Sequence, residues 1–231
     1  MASLQGRTAI ITGASSGIGA AAAEALSRAG VRLVLTGRRA RPAVEVPNSI
    51  YIRGDVTEPG LVESLFAKAP ECDIVVNNAG ILVAGEVDDI DLNAVAHMVR
   101  VNVDAAYRVA YLAARHFKEI RKGHLVNISS VLGTKVRLTA GAYSGTKHAI
   151  EALSEALRQE LAGTRVKVTC VEPGLVMTEL HRDFAVHPRE QFEIRQALEP
   201  EDVARAIVFA LEQPDHVNVA RLMLLAADQA I

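Results

Sequence analysis

In the stretch AYSGTKHAIEALSEAL a tyrosine and a lysine, Tyr143 and Lys147, stand four residues apart. On a helix that spacing puts both side chains on one face. The pair has two readings at this level. It is an ordinary surface contact, with Glu151 able to pair with Lys147 in the other direction, or a phenol and an ammonium that share a proton path. A free tyrosine, with a pKa of about 10, is too weakly ionised near neutrality to act as a base. An ammonium one turn away favours the phenolate. Lowering the pKa by about 3 units takes roughly 4 kcal/mol, within reach of close charges in a partly dry site.

A second constellation lies near the N-terminus. TGASSGIGA follows the apolar run TAIIT and opens an alanine-rich segment, with Gly13, Gly17 and Gly19 in the spacing G-x-x-x-G-x-G. Glycine is required where a backbone turns sharply or approaches a ligand without a Cβ in the way. The helix that follows offers unpaired N–H groups and the positive end of its dipole to a pyrophosphate. Three glycines alone make only a tight turn; between a first strand and a first helix they imply dinucleotide binding. Gly13, Ser15, Ser16, Gly17, Ile18 and Gly19 are therefore the expected contacts.

The end of the next apolar run says which dinucleotide. An acid at this point would bind the adenosine ribose diol and favour NAD. The sequence instead reads TGRR, with Gly37 in that slot and Arg38 and Arg39 after it. Arginine holds a 2′-phosphate through forked, charge-assisted hydrogen bonds, so NADP(H) is expected over NAD. The plainer alternative is that the two arginines solvate a loop.

Other chemistries find no support. The two cysteines, Cys72 and Cys170, form no CxxC motif, and Cys170 sits in VKVTCVEPG as a small buried hydrophobe would. Seven histidines are scattered without ligand spacing, so no metal is expected. No G-x-S-x-G elbow is present. A formal charge of −2, without a basic run, argues against nucleic acid or an anionic membrane as the main partner. Neither a secretory h-region nor a membrane-length apolar run is found. A soluble, cytoplasmic protein is the expectation.

The elements that must position these residues alternate. TAIIT, VRLVLT, IYIRG, DIVVNNAG, HLVNISS, VKVTCVEPG and RLMLLA read as buried strands, most of them separated by alanine-rich helical segments. Apolar strands joined by helical crossovers imply a mostly parallel, doubly wound α/β sheet, a Rossmann-type three-layer sandwich. With no repeat or long linker, residues 1–231 are expected to form one domain. One connection departs from the pattern. ARPAVEVPNS carries Pro42 and Pro47, which leaves no room for a crossover helix and predicts an irregular strap.

With TGASSGIG, NNAG, NISS, YSGTK and a trailing PGLVMT in this order, the chain resembles the short-chain dehydrogenase/reductase family, over residues 7 to about 227. The resemblance implies a single Rossmann-type domain, a nicotinamide cofactor and carbonyl/alcohol interconversion. Tyr143 and Lys147 then match the family's Y-x-x-x-K pair, Ser130 its catalytic serine, and Asn102 the helix asparagine that anchors a water in the proton path. Asn77, Ala79 and Gly80 resemble the segment beside the adenosine, and Asp55 with Val56 in GDVT the adenine contact. Pro173, Gly174, Val176 and Thr178 resemble the loop that holds the nicotinamide amide. In this scheme Lys147 also binds the ribose hydroxyls, and Ser130 orients the substrate oxygen and stabilises developing charge. Taken singly, Ser130 is also a plausible turn residue and Asn102 a helix cap.

Substrate choice is expected in a short loop at about 179–199. There Leu180 and Phe184 can form an apolar wall, and Arg182, Arg189 and Arg195 are candidates for a substrate carboxylate or, more simply, solvated charges. The C-terminal tail resembles the family branch acting on 3-hydroxy acids and serine, which makes a small hydroxy acid or polar ketone the expected substrate. A non-catalytic NADP-binding regulator on the same fold is the alternative. Helices at 103–120 and 143–161 carry more apolar surface than one sheet face covers. Family members pair through these two helices, so a homotetramer, or a homodimer, is expected.

Overall fold

The computed structural model describes residues 2–182, 184 and 186–230. Met1 and Ile231, at the ends of the expected domain, and Asp183 and Ala185, in the expected substrate loop, lie outside the described residues.

Every apolar run becomes a strand: β1 (Thr8–Thr12), β2 (Arg32–Gly37), β3 (Ser49–Arg53), β4 (Ile74–Asn77), β5 (Gly123–Ile128), β6 (Val166–Pro173) and β7 (Arg221–Leu224). They form one sheet in the order β3-β2-β1-β4-β5-β6-β7, with every pairing parallel. Central strands are buried on both faces, which is why they lack polar alternation. The edge strands β3 and β7 are half exposed.

Helices cover both faces. On one side α1 (Gly17–Arg28) and α7 (Pro200–Leu211) set Ala22, Leu26, Val203 and Ile207 against Ile11, Val76 and Val126. On the other, α2 (Leu61–Lys68), α4 (Ala106–Ile120) and α5 (Gly141–Glu160) set Leu65, Phe117 and Leu153 against Ile10, Val75 and Leu125. Consecutive strand residues such as Ile10 and Ile11 thus serve opposite layers. The strand order reverses between β1 and β4, and in such sheets ligands bind in the crevice beyond the carboxyl ends of the strands there.

Two connections differ from ordinary crossovers. Between β2 and β3 no helix forms, as the two prolines predict; the strap is tied to the glycine turn by Ala43 N–H donating to Ser15 O (3.1 Å). The helix expected at 103–120 is longer than its sequence pattern. It begins as α3 (Leu92–Val99), passes through a π-helical segment (Arg100–Ala105) and continues as α4. In the 179–199 stretch the described residues form a 3-10 turn (Glu179–His181), the short α6 (Pro188–Gln191) and a single bridge from Leu198 to Val176.

Candidate active site

A cavity of about 1010 Å³ opens at the carboxyl ends of the strands. At one end lies the glycine turn. Gly13 and Gly17 have φ of +67° and +54°, values that favour glycine. A Cβ on Gly13 would lie 2.9 Å from Ala79 Cα, and one on Gly19 only 2.3 Å from Gly13 O. The turn is pinned from the next strand: Thr12 Oγ1 accepts from Asn78 N–H (3.0 Å) and Ala79 N–H (3.1 Å), while Asn78 Nδ2 donates to Thr12 O (2.9 Å). Ser16, the N-cap of α1, makes no side-chain cap bond, so first-turn N–H groups face the cavity without that partner.

Gly13, Ser15, Ser16, Gly17 and Ile18 line this end, with Ala79 and Gly80 opposite and Asp55 and Val56 beside them. Arg38 and Arg39 stand exposed at its rim. Arg39 is ion-paired with Glu179 across the opening, whereas the Arg38 guanidinium has no hydrogen bond or ion pair among the described residues. The space beside Gly37 is filled rather than open: a Cβ there would meet Ser15 Cβ at 2.8 Å and Tyr51 Oη at 3.0 Å. Close packing of Ser15 against the strand end therefore excludes any side chain at this position, an acid included. These features fit a dinucleotide: a cradle that a Cβ would fill, helix N–H groups, and an exposed guanidinium that is held by no hydrogen bond or ion pair among the described residues and feels the Asp55 carboxylate only through space.

Pro173, Gly174, Val176 and Thr178 form the adjoining wall. Gly174 leaves room for Gln229 of the C-terminal tail, whose Oε1 accepts from Leu175 N–H (3.0 Å). The chain end thus reaches back to the cavity, a contact with no signal in the motifs.

The middle of the cavity carries Ser130, Tyr143 and Lys147, all buried. Ser130, at the end of β5, caps a 3-10 turn by accepting from Leu132 N–H (3.1 Å). Tyr143 and Lys147 sit in the first two turns of α5. Lys147 Nζ donates to Ile128 O (2.9 Å) and lies 5.8 Å from the Tyr143 ring centroid. Burial pushes the phenol up to about 12, against a lowering from the Ser130 hydroxyl. Burial also pulls the Lys147 ammonium down to about 8, against the raising influence of Cys170 and Glu151. The expected lowering of the tyrosine is absent from the protein alone, because loss of water outweighs an ammonium that is turned to a carbonyl.

Three expected site residues lie behind the wall rather than in it. Gly19 is inside α1. Asn77 is buried, donating from Nδ2 to Ala106 O and Asn127 Oδ1 (both 2.9 Å), while Asn127 Nδ2 donates to Ser154 Oγ (2.9 Å). Asn77 and Asn127 thereby clamp α4 and α5 to the sheet, and Asn78 is the asparagine of NNAG that lines the cavity. Asn102, on the π segment, accepts from Ile81 N–H (2.9 Å) and donates to Ile81 O (2.8 Å) and Thr146 Oγ1 (3.2 Å). Its side-chain polar atoms are engaged by protein, so it fixes the 80–81 backbone beside Lys147.

The substrate end is lined by Leu180, His181, Arg182 and Phe184, by Gln191 and Phe192, and by Arg137 and Leu138 from the loop before α5. Arg189 and Arg195 turn elsewhere: Arg189 donates to Ile194 O and Arg195 O, and Arg195 pairs with Asp228 (3.2 Å). Both cysteines are buried free thiols, with Cys72 pushed up to about 12 by burial. Among the described residues no cluster of histidine, cysteine or acidic side chains is arranged to hold a metal, and no helix is long and apolar enough to cross a membrane.

A parallel, doubly wound sheet with a glycine turn at its switch point and a tyrosine–lysine pair across the same cavity defines a class of dinucleotide-dependent oxidoreductase. The chain belongs to the short-chain dehydrogenase/reductase family: residues 7–188 match the family model described as short chain dehydrogenase. It is 36% identical over 234 residues to an uncharacterized oxidoreductase of Staphylococcus saprophyticus, covering 95% of this chain and 97% of the relative. The closed form of serine dehydrogenase complexed with NADP+ superposes with a TM-score of 0.87 at 27% identity, covering 97% of this chain and 96% of that one. A 3-ketoacyl-(acyl-carrier-protein) reductase from Brucella melitensis complexed with NADH gives 0.87 at 26% identity, covering 98% and 99%.

Proposed function

We propose that the protein is an NADP(H)-dependent oxidoreductase interconverting a carbonyl and a secondary alcohol of a small hydroxy acid or polar ketone, with Tyr143 as acid and base. The observation that carries this reading is the convergence of Ser130, Tyr143 and Lys147 on the cavity that holds the glycine turn. The glycine turn and the first turn of α1 would receive the pyrophosphate, Arg38 the 2′-phosphate, and the wall at 173–178 the nicotinamide amide. When bound, the nicotinamide supplies or accepts the hydride and, oxidised, brings a positive charge.

The chain's own residues handle the proton. A phenol held at about 12 is protonated throughout the neutral range and serves as an acid toward a forming alkoxide. Ser130, beside it, donates to the same substrate oxygen and holds it within reach. Lys147 anchors to Ile128 O and keeps its ammonium below the phenol, where it favours the phenolate left by proton transfer. Asn127, through Ser154, and Asn102, through Thr146, hold α5, the helix that carries both the tyrosine and the lysine, and Asn77 ties Asn127 to α4. The same reading takes the working protein as a cytoplasmic homotetramer paired through α4 and α5; the exposed Tyr111 on α4 is in keeping with a covered face.

The test is Tyr143→Phe, assayed for NADPH binding by fluorescence titration and for turnover across small ketones and alcohols. NADPH affinity within threefold of wild type, with turnover lowered at least about 100-fold, is expected for loss of a general acid. Undiminished turnover in the variant refutes the assignment.

A further inference from the structure

The substrate end of the cavity contains an arginine without a counter-charge among the described residues. Arg137 stands in the loop between Ser130 and Tyr143 and lines the cavity with both. It is half-buried, and burial lowers its pKa. Among the described residues its guanidinium makes no hydrogen bond and no ion pair. Its one side-chain contact of note is a stack over the Phe192 ring, with Cζ 3.8 Å from the centroid. Stacking covers a guanidinium face but leaves the in-plane N–H donors at its edge, in the forked arrangement that matches a carboxylate.

The other cavity cations are differently placed. Arg39 and Arg182 are both within ion-pair distance of Glu179, and Arg38 stands at the cofactor end. Of the acids lining the cavity, Asp55 lies with the cofactor contacts, Glu179 serves the arginines just named, and Glu86 is exposed and makes no ion pair with Arg137. A partly desolvated cation without a partner is costly unless a ligand neutralises it.

A second, independent observation falls in the same place. His181 lines the cavity on the facing turn, and its Nδ1 is buried without a hydrogen-bond partner among the described residues. Burial, with His187 and Arg137 nearby, holds the ring neutral, with a pKa pulled down to about 4. Its ring packs against those of Phe184 and His187 (centroids 5.9 and 5.6 Å), and His187 Nδ1 is spent on Arg189 N–H. An orphaned polar nitrogen and an unpaired guanidinium, set among Leu138, Leu180 and Phe184, form a polar receptor in an otherwise apolar wall.

We propose that the substrate is an acid whose carboxylate is received by Arg137, with His181 as a second hydrogen-bonding contact, while its hydroxyl or oxo carbon faces Tyr143 and Ser130. The proposal rests on the oxidoreductase reading and narrows it: short-chain hydroxy acids and their oxo acids are substrates, and their neutral esters and amides are not. Apolar carbons between the two groups lie against Leu138 and Leu180. Arg137 is a specificity residue, since removing it withdraws an anchor for the substrate without touching the proton transfer.

The experiment compares 2-, 3- and 4-hydroxypentanoate with their methyl esters as substrates, with NADP+ and NAD+, in wild type, Arg137→Met and Arg137→Lys. Pentanoate is added as an inhibitor of a neutral alcohol's oxidation. In wild type one acid exceeds its ester at least 100-fold in kcat/KM, and pentanoate inhibits competitively. Arg137→Met lowers the acid's kcat/KM at least 100-fold, mostly through KM, weakens pentanoate comparably and leaves the ester within threefold. Arg137→Lys recovers part of the loss, which separates a charge role from damage to the loop. Equal use of acid and ester by wild type, absence of pentanoate inhibition, or equal loss on both substrates in Arg137→Met overturns the proposal. Tyrosine-dependent turnover of neutral alcohols without turnover of acids sinks this inference alone. Failure of every substrate with both cofactors sinks the oxidoreductase reading with it.

Discussion

Lys147 carries its charge at a cost, and removing it should make the protein more stable while disabling it. The ammonium is buried, with 7% exposure, and its pKa falls from 10.5 to about 8. A shift of that size corresponds to about 3 kcal/mol of native-state penalty at neutral pH. Lys147→Met keeps the length and apolar stem and removes the charge. It also leaves Ile128 O without its donor, which costs about 1–2 kcal/mol. The net expectation at pH 7 is a gain of about 1–2 kcal/mol, or about 2–8 °C in Tm for a chain of this size. The pH dependence is more telling. Between about 8 and 10.5 the unfolded lysine holds its proton while the native one releases it, so wild-type stability rises with pH relative to the variant. Urea titrations of both proteins from pH 7 to 9.5 check this. The variant's advantage should be constant below about pH 8, then shrink by about 1.4 kcal/mol per pH unit and reverse. A stability difference flat across that range, or a variant already weaker at pH 7, refutes the account of a desolvated ammonium.

Two further outcomes follow from the geometry. Arg38→Leu should weaken NADPH about 10- to 100-fold, the worth of hydrogen bonds to a charged group, and leave NADH within threefold; equal losses in fluorescence titrations would count against a 2′-phosphate role. His124, fully buried in β5, hydrogen-bonds Thr169 Oγ1 (2.8 Å), and that hydroxyl donates to Val219 O (2.7 Å). The shared proton is therefore on Nε2, and Nδ1 is left without a partner among the described residues. Burial pulls this histidine from 6.5 down to about 3, so the unfolded state binds the extra proton and wild type loses stability as pH falls below 6.5. His124→Leu should remove about 2 kcal/mol of that loss by pH 5, read as urea midpoints; parallel acid slopes would refute it.

The strands and the layers were legible because a parallel sheet buried on both faces writes itself as short continuous apolar runs; the strand order came from the structure. The strap was legible from two prolines. The gathering of Ser130, Tyr143 and Lys147 on one cavity wall was legible as residue types and spacing, but its electrostatics were not. Spacing brings Tyr143 and Lys147 together; only the structure says that Ile128 O takes the ammonium and that both groups are dry. Asn77 and Asn78 show the same limit. Two identical adjacent residues at a strand end point in opposite directions, and chain direction relative to the sheet decides which faces the cavity. The arginines after Thr178 drew attention by composition, yet Arg189 and Arg195 are spent on local carbonyls and Asp228. Arg137 lay in a stretch with no pattern, and its place depends on Phe192, far along the chain.

The π-helical segment between Leu92 and Ile120 has a mechanical meaning. Its wider turn holds an additional residue, and one residue is about 100° of rotation about a helix axis. The rod on either side is therefore two helices out of phase. The first half turns Met98 toward the loop at 81–84, and the second turns Val109, Ala113 and Phe117 toward the sheet. Asn102 sits in the phase step itself. Straightening that step would leave α4 packed on the sheet and swing the asparagine away from Ile81 and Thr146. The fold can thus keep its core while the site's alignment is set separately, by a single surplus residue.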